Sequence, residues 1–372
     1  MDCLCCADGG QGPTSETEFL GSICNLDNGK AKFPAEDGRY VMYVIAGCPF
    51  AARPWSVLSF YGIPSNSNTH GLRVIKLFPA AHDDGWFLQP VSQGEQDLLH
   101  AFPDAKCDSL TPTPEGCTPL DPRFFPEDKT TFHHISQLYE FAKPGFQGAK
   151  SVPLLWDTKS HTIVSNSSLG LSEMIATQMA PTMATRNQHI RLFPSCQTDD
   201  ENEKQLYLQH KDLVKQIHSK ITTAVYKINS VTDGGEHDRM VNDYYSALET
   251  YQTQIVDNGG YLMGTTPKFV DLLLLASLVR LDLAYQWRFG LGRKSIRENY
   301  PGLMKYMTGM LEMEGMMGDC ILPRDIMALY WMTPKWVNRT LPLVPETWEV
   351  ECVGGSCEWK RKDDDREDGE KK

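Results

Sequence analysis

Cys48 stands where a strand-like segment gives way to a helix-like one. The apolar residues 40–46 stop at Gly47, and Pro49 opens a helix-like run that ends near Gly62. A helix N-terminus offers free backbone N–H groups and the positive end of a dipole, and proline suits the first helical position. These features favour a thiolate, the nucleophilic form of cysteine. The pattern therefore predicts a reactive thiol with a lowered pKa, against the alternative of a small buried apolar residue.

Strand-like and helix-like segments alternate around this cysteine. Their order is β-α-β-α-β-β-α, with a long Pro- and Asp-rich loop after the second strand. That order is typical of a thioredoxin-like domain, and Cys-Pro-X-X at its first strand–helix junction is typical of thiol enzymes with this fold. The strands are predicted at 40–46, 73–78, 154–157 and 162–165, and the helices at 48–62, 130–142 and 168–179.

The second half of the chain has helical periodicity throughout. Helices are predicted at 204–230, 237–257, 270–287, 296–315 and 322–331. The third is apolar on nearly all sides, which predicts a central buried helix. The expected organisation is a flexible N-terminal extension (1–35), a thioredoxin-like domain (36–180), a linker (181–203), an all-helical domain (204–345) and a disordered charged tail (346–372).

Composition and charge limit the classes of function. The 372-residue chain has 41% hydrophobic residues and a net charge of −12, which fits a globular protein and argues against a nucleic-acid partner. The sequence contains no apolar run of membrane-spanning length and no recognisable secretory signal. We therefore expect a cytoplasmic protein with reduced thiols and without a membrane span.

The cysteines near the two ends of the chain show no metal-ligand pattern. Cys3, Cys5 and Cys6 lack the partner spacing of a zinc site. Cys352 and Cys357 flank Val-Gly-Gly-Ser in the predicted tail, and the sequence assigns them no function. We therefore expect no bound metal.

Motifs in colinear order over residues 33–345 resemble the xi class of the glutathione transferase superfamily, the glutathionyl-hydroquinone reductases. The resemblance implies the glutathione transferase fold, which is an α/β thioredoxin-like N-terminal domain followed by an all-α C-terminal domain. The motifs are FPAE at 33–36, GRY at 38–40, CPFAARPW at 48–55, Gly85-Trp86, VPLLWD at 152–157, IVSN at 163–166, AVYK at 224–227, LVRLD at 278–282 with Tyr285, NYPGL at 299–303, and Tyr330 followed by NRTLP at 338–342.

The resemblance also implies roles for individual residues. It makes Cys48 the catalytic thiol and Tyr226 and Tyr285 catalytic hydroxyl donors, which together with Tyr330 form the site for the aromatic acceptor. The implied glutathione contacts are Trp86, Arg53, Ser167, Ser168 and the backbone of Val152 before an expected cis bond to Pro153.

The chain departs from the family pattern at this site. Phe50 and Ala52 stand where the family has Trp and His, and Ser167 replaces the Glu that pairs with the ammonium group of glutathione. The next residue, Ser168, is expected to keep the hydroxyl at the N-terminus of its helix. These changes affect the expected affinity for glutathione more than the expected fold.

The sequence leaves three functions open, with glutathione as the expected co-substrate. The first is reduction of glutathionylated quinol-type small molecules through a Cys48–glutathione mixed disulfide, which releases the hydroquinone and GSSG. The second is an omega-like transferase with thioltransferase or dehydroascorbate reductase activity. The third is a non-catalytic binding protein that kept the fold, as the substitutions at 50, 52 and 167 suggest.

A homodimer is expected, mainly because the resemblance implies pairing through the helical domains. Trp287, Phe289, Trp331 and Trp336 would form a large apolar patch if they were exposed together. Alternatively, the segment after Trp331 covers them within one chain.

Overall fold

The computed structural model describes residues 19–24, 32–67, 69–79, 81–82, 85–87, 134–195, 198–292 and 294–333, and the backbone of two strands at 348–353 and 356–361. The first elements of the described chain are β1 (Ile23–Cys24), β2 (Phe33–Pro34), β3 (Tyr40–Val44), α1 (Pro49–Phe60), β4 (Arg73–Lys76), β5 (Ala81–His82), β6 (Gly85–Trp86), α2 (Ile135–Ala142), β7 (Leu154–Asp157), β8 (Thr162–Ser165), α3 (Ser168–Met174) and α4 (Ala180–Met183).

The later elements are helical until the last two strands. They are α5 (Glu201–Ile217), α6 (Ala224–Ser230), α7 (Gly234–Asp257), α8 (Phe269–Arg280), α9 (Gln286–Arg288), α10 (Ile296–Asn299), α11 (Pro301–Leu311), α12 (Pro323–Met332), β9 (Trp348–Val353) and β10 (Ser356–Arg361). Short π-helical turns join α3 to α4 at Ile175–Met179, α5 to α6 at His218–Thr222 and α8 to α9 at Leu281–Tyr285.

A four-stranded mixed sheet has the order β4-β3-β7-β8. Strand β3 runs parallel to β4 and antiparallel to β7, and β7 pairs with β8 as an antiparallel hairpin. All five residues of β3 are buried, as expected for a central strand covered on both faces. The register pairs Tyr43 with Leu154, so the end of β3 and the start of β7 lie at the same end of the sheet.

Helix α1 follows β3 and packs between the sheet side and the helical half. It contacts α3 on one side and α8 on the other. Pro49 occupies its first turn, where the missing N–H costs no hydrogen bond. Every residue of α1 except Phe50 is buried, so this helix is part of the core that joins the two halves.

Helix α8 is the central helix of the second half, as the sequence predicts. Each of its residues, from Phe269 to Arg280, is buried. Asp271 stabilises its N-terminus by accepting hydrogen bonds from the backbone N–H groups of Lys268 at 2.8 Å and Leu262 at 2.9 Å. Burial raises the pKa of this carboxyl to about 6. Helix α8 is therefore stabilised both by its buried apolar side chains and by the carboxylate of Asp271 at its N-terminus.

The structure divides several predicted helices. The predicted helix 270–287 becomes α8, a π-helical turn and α9, and the predicted helix 296–315 becomes α10 and α11. Pro301 explains the second division, because it starts α11 and cannot donate the N–H that would continue α10. The start of the predicted helix 130–142 lies outside the described residues.

The predicted apolar patch of the helical half is only partly present. Trp287 and Trp331 are exposed by 36% and 42%, but Phe289 is 2% exposed because it packs against Tyr285 and Tyr330. Trp336 lies outside the described residues. The homodimer therefore stays a prediction, as do the domain boundaries.

Two further expectations concern the remaining chain. Strands β9 and β10 pair within the segment for which the sequence predicts a disordered tail, and the cysteine cluster at 3–6 lies outside the described residues. None of the described helices is both long and apolar enough to span a membrane.

Candidate functional site

Cys48 occupies the N-cap position of α1, directly after the turn that ends β3. Its backbone is extended, with φ −75° and ψ 126°. Its N–H donates to the carbonyl of Ile45 at 2.9 Å, and its carbonyl accepts from the N–H of Ala52 at 3.0 Å. The thiol is reduced and half-buried. The predicted position of this cysteine at a helix start is confirmed.

The predicted lowering of the Cys48 pKa is wrong. Burial raises the pKa of the thiol, because a thiolate loses hydration in the closed junction between the two halves. The backbone N–H groups of Ala51 and Phe50 and the guanidinium groups of Arg280 and Arg53 act in the opposite direction but do not outweigh burial. The helix N-terminus thus offsets part of the desolvation cost.

Arg280, at the end of α8, holds the loop that carries Cys48. Its Nε donates to the carbonyl of Gly47 at 2.7 Å and its Nη2 to that of Ala46 at 3.3 Å. A third donor, Nη1, bonds the carbonyl of Ala276. The side chain is completely buried. A cation of the helical half therefore fixes the strand–helix junction of the other half.

Gly47 is required at this junction by close packing against α12. A Cβ atom added to it would lie 2.5 Å from Cβ of Leu329 and 2.7 Å from the carbonyl oxygen of Asp325. Real Cβ atoms do not approach other atoms so closely, and both neighbours belong to one helix. The absence of a side chain at Gly47 therefore lets α12 pack directly beside Cys48.

Three tyrosines from three elements of the helical half meet in one hydrogen-bonded cluster. The hydroxyl of Tyr330 lies 2.9 Å from that of Tyr226 and 3.1 Å from that of Tyr285. Burial raises the pKa of all three hydroxyls, and a charge on Cys48 raises the pKa of Tyr226 and Tyr285 further. The two tyrosines therefore lie within electrostatic reach of the thiol and stay protonated at neutral pH.

Phe50 packs beside this cluster. Its ring stacks on Tyr226, with 6.1 Å between the ring centroids and an interplanar angle of 28°. The guanidinium of Arg53 lies 4.7 Å from the centroid of the same ring. Phe50 is thus an aromatic contact between the thiol junction and the tyrosine cluster.

Arg53 is a buried cation that joins α1 to both α3 and the helical half. Its Nη1 donates to Oγ of Ser168 at 3.0 Å, and its Nη2 lies 3.0 Å from Nδ1 of His218. Burial lowers the pKa of His218 to about 4, so its neutral ring accepts this hydrogen bond. Burial also lowers the pKa of Arg53 to about 10.

The charge of Arg53 is not balanced by a carboxylate within the described part of the chain. The side chain is 1% exposed, and its Nε is buried without a hydrogen-bond partner. A buried cation is costly unless it is paired. An anionic group of a ligand that reached this guanidinium would balance its charge.

The two serines at the start of α3 have different roles. Oγ of Ser167 accepts from the N–H of Gly170 at 3.2 Å and caps the helix, whereas Oγ of Ser168 accepts from Arg53. Ser168 is the first residue of α3, so its hydroxyl lies at the N-terminus of that helix, as expected, although it does not cap the helix. Ser167 is the residue whose hydroxyl stabilises the helix N-terminus.

The other predicted glutathione contacts lie at the same end of the sheet as Cys48. The Val152–Pro153 bond is cis, as predicted, and it directly precedes β7. Trp86 is half-buried on the β5–β6 hairpin, which is joined to the end of β4 by the N–H of Phe78 donating to Phe87 at 3.1 Å. Their role in binding stays a prediction.

Comparison with known proteins gives a consistent result for this fold. No protein-family model matches the chain. It is 25% identical over 334 residues to the glutathionyl-hydroquinone reductase YqjG of Escherichia coli, covering 90% of this chain and 83% of that protein. It is 22% identical over 277 residues to the glutathione S-transferase omega-like 2 of Schizosaccharomyces pombe, covering 74% of each.

Solved structures agree over most of the chain. A xi glutathione transferase of Phanerochaete chrysosporium superposes with a TM-score of 0.67 at 21% identity, covering 88% of this chain and 95% of that one. Glutathione-bound YqjG superposes with a TM-score of 0.64 at 22% identity, covering 87% and 92%. The chain is thus similar to xi-class glutathione transferases over most of its length. The predicted fold, thioredoxin-like and then all-helical, is confirmed.

The structure adds two residues to the site that the sequence did not single out. Arg280 belongs to the quoted LVRLD motif, but its contact with Gly47 spans 233 positions and has no local signal. His218 had no signal either, because its contact with Arg53 depends on how the two halves pack. The described residues contain no cluster of His, Cys, Asp or Glu suited to a metal ion.

Proposed function

We propose that this protein is a glutathione-dependent oxidoreductase that reduces S-glutathionyl hydroquinones with Cys48 as the nucleophile. The observation that carries the proposal is the combination of a cysteine at the N-cap of α1 with hydrogen-bonded, protonated tyrosines within its electrostatic reach. The name of the Escherichia coli relative, a glutathionyl-hydroquinone reductase, supports the reaction class. The glutathione-bound state of the solved YqjG structure supports glutathione as the ligand.

The proposed reaction has two steps: cleavage of a thioether by Cys48, and then a thiol–disulfide exchange. The Cys48 thiolate attacks the glutathionyl sulfur, the sulfur–ring carbon bond breaks, and its electron pair stays with the ring carbon, which takes up a proton. The products are the hydroquinone and a Cys48–glutathione disulfide. The thiolate of a second glutathione then attacks this disulfide, which releases GSSG and returns the Cys48 thiolate.

The tyrosine cluster supports this reaction because the ring carbon must be protonated as its bond to sulfur breaks. The raised pKa values keep the hydroxyls of Tyr226 and Tyr285 protonated, so both can donate. Tyr330 bonds to each of them and can return a proton to the one that has donated. Phe50, stacked on Tyr226, offers an aromatic surface for the quinol ring.

Arg53 supports glutathione as the anionic ligand of the proposed site. Its unbalanced charge fits a carboxylate of glutathione, and the hydroxyl of Ser168 beside it can donate to the same group. Trp86, Val152, Pro153 and Ser167 complete the proposed contacts. Because Ser167 carries no charge, the ammonium group of glutathione has no partner at that position.

Two other functions remain as alternatives, and different features of the site bear on each. An omega-like thioltransferase or dehydroascorbate reductase uses the same thiol but needs no proton donor for a ring carbon, so the tyrosine cluster favours the hydroquinone reductase. A non-catalytic binding protein is favoured by the raised pKa of Cys48 and by Ser167. A cytoplasmic location and a homodimer are kept as parts of the proposal.

The deciding experiment compares substrates in the presence of glutathione. S-glutathionyl hydroquinones are expected to turn over faster than a generic glutathionylated disulfide or dehydroascorbate, with one GSSG formed for each hydroquinone released. Equal or faster turnover of the other acceptors would favour the omega-like thioltransferase or dehydroascorbate reductase. Saturable glutathione binding by calorimetry without turnover of any acceptor would favour the binding protein.

Removing a tyrosine hydroxyl is expected to affect only the step that protonates carbon. Tyr226→Phe should lower kcat for S-glutathionyl hydroquinones by about 10²-fold. Disulfide reduction by the same variant should stay unchanged because no carbon is protonated there. Tyr251→Phe is the matched control, since its buried hydroxyl has no partner and lies on α7. A parallel loss with both substrate classes would contradict the proton-donor role.

Restoring a carboxylate at position 167 is expected to tighten glutathione binding. Ser167→Glu would pair with the ammonium group and lower the Kd by about tenfold, or about 1.4 kcal/mol. Ser167→Gln is the matched control, because both variants lose the cap of α3 and only one gains charge. Calorimetry that gives the two variants the same affinity would show that the ammonium group does not lie at this position.

A further inference from the structure

The β9–β10 hairpin places two cysteines directly opposite each other. The register pairs Cys352 with Cys357 and Val353 with Ser356. In the sequence, two glycines, at 354 and 355, stand between the strands. Gly-Gly is one of the sequences that two-residue hairpin loops favour. Because the 353–356 pair adjoins the loop, hydrogen-bonding alternation makes the 352–357 pair a non-hydrogen-bonded one.

The spacing at such a pair suits a covalent link. Directly opposite residues at a non-hydrogen-bonded position have Cα atoms about 4.5 Å apart, whereas disulfides join Cα atoms about 4.4–6.8 Å apart. The distances overlap without a change of backbone. Cys352 and Cys357 are thus the two cysteines of this segment that the register brings together.

The sequence pattern supports this register independently. Alternate residues of an antiparallel ribbon share a face. One face would carry the apolar positions Trp348, Val350, Cys352, Cys357 and Trp359 with Arg361, and the other Glu349, Glu351, Val353, Ser356, Glu358 and Lys360. A slip of one strand by one residue would mix these faces, so the alternation holds the cysteines opposite each other.

We infer that Cys352 and Cys357 form a redox pair that a low-molecular-weight disulfide such as GSSG closes into a cross-strand disulfide. One cysteine thiolate attacks GSSG, which gives a mixed disulfide and releases one glutathione thiolate. The second cysteine thiolate then attacks the protein sulfur of that mixed disulfide and releases the second glutathione thiolate. The two protein thiols lose two electrons and two protons, and GSSG becomes two molecules of glutathione.

This pair is separate from the proposed chemistry at Cys48. An isolated two-stranded hairpin is marginally stable in water, and a covalent link between its strands removes open conformations from the unlinked state. Oxidation therefore stabilises the paired arrangement of β9 and β10, which is marginally stable without the disulfide. The reduced and oxidised forms are two states of the same hairpin, and the ratio of glutathione to GSSG selects between them.

The test measures the redox state of the pair in the full-length protein. The protein is equilibrated with defined mixtures of glutathione and GSSG, quenched with acid, alkylated with iodoacetamide under denaturing conditions and digested with trypsin. Cleavage after Arg339 and Lys360 gives one peptide, residues 340–360, which contains these two cysteines and no others. The disulfide form is lighter than the dithiol by two hydrogen atoms and takes up no alkyl group.

A register-shifted variant is the matched control. Cys357→Ser together with Glu358→Cys keeps two cysteines in the same peptide but moves one to the opposite face of the ribbon. The natural pair is expected to close at a GSSG level at least tenfold lower, which is about 30 mV for this two-electron couple. Cys352→Ser should give only a mixed disulfide with glutathione.

Two results would overturn the inference. Equal closure of the natural and register-shifted pairs would mean that closeness in sequence, and not strand register, determines the reaction. Recovery of the natural peptide only as mixed disulfides or as links between two chains would mean that the cysteines do not meet. Repeating the titration with Cys48→Ser should leave the midpoint unchanged, because the pair reacts without the proposed site.

Discussion

Cys48→Ser is expected to lower glutathione-dependent turnover by at least about 10³-fold, because a serine hydroxyl cannot form the mixed disulfide. The same change should leave the free energy of unfolding nearly unaltered. Cys48 is the N-cap of α1, and serine is among the best residues at this position. Loss of activity with an unchanged unfolding midpoint would therefore assign the effect to the chemistry of the thiol.

The control for this variant is another thiol of the described chain. Cys24 is free and half-buried on β1, so Cys24→Ser tests whether loss of any accessible thiol lowers turnover. That variant should keep full activity. Turnover by Cys48→Ser within tenfold of the natural protein would contradict a nucleophilic role for Cys48.

The raised pKa of Cys48 predicts the pH dependence of its reactivity. Because burial raises the folded pKa above that of a free thiol, the thiolate fraction at neutral pH is small and grows as the pH rises through the folded pKa. The alkylation rate at Cys48, followed by peptide mass spectrometry, should therefore have a midpoint above the value of about 8.5 for free cysteine. A midpoint near 7 would mean that the helix N-terminus outweighs burial.

Local patterns allowed the sequence to predict the part of the site that belongs to single elements. Gly47, Cys48 and Pro49 mark a strand end, an N-cap and a first helical turn, and each depends on neighbours only a few residues away. The cis bond before Pro153 was predicted from the family resemblance and is present. The three tyrosines were predicted in the same way, and the structure brings their hydroxyls together.

What the sequence could not predict depends on contacts between distant parts of the chain. The pKa of Cys48 follows from how tightly α1 packs against α8, which no motif reports. Phe289 was assigned to an exposed patch, but it packs on Tyr285 and Tyr330, so its burial follows from the tertiary arrangement. Propensity and periodicity describe one element at a time, and these contacts join two or three.

The hairpin near the C-terminus was missed for a different reason. The charged residues at 360–372 give the end of the chain the composition of a disordered tail, and the prediction extends that tail back to residue 346. The alternation of Trp348, Val350 and Cys352 with charged residues is a period-two pattern, which predicts a strand. The pairing of β9 with β10 agrees with this periodicity and not with the composition of the segment.

Arg280→Met is expected to destabilise the fold by about 3 kcal/mol and to lower turnover as well. Methionine keeps much of the buried apolar volume but leaves three carbonyl oxygens, of Gly47, Ala46 and Ala276, without their donor. Buried acceptors without partners carry the full cost of their lost hydration. The loop before Cys48 would also lose the group that holds it against α8.

The same substitution removes a positive charge that favours the Cys48 thiolate. Arg280 is among the groups that act against burial on the pKa of this thiol, so its loss should raise that pKa further. Arg280→Lys is the matched control, because it keeps the charge but cannot donate to three carbonyls from one planar group. Denaturant unfolding and the pH profile of Cys48 alkylation therefore separate the two effects: Lys should retain the pKa of the natural protein and lose stability, whereas Met should change both. If Arg280→Met unfolds within about 0.5 kcal/mol of the natural protein, the bonds from α8 to residues 46 and 47 do not hold the junction.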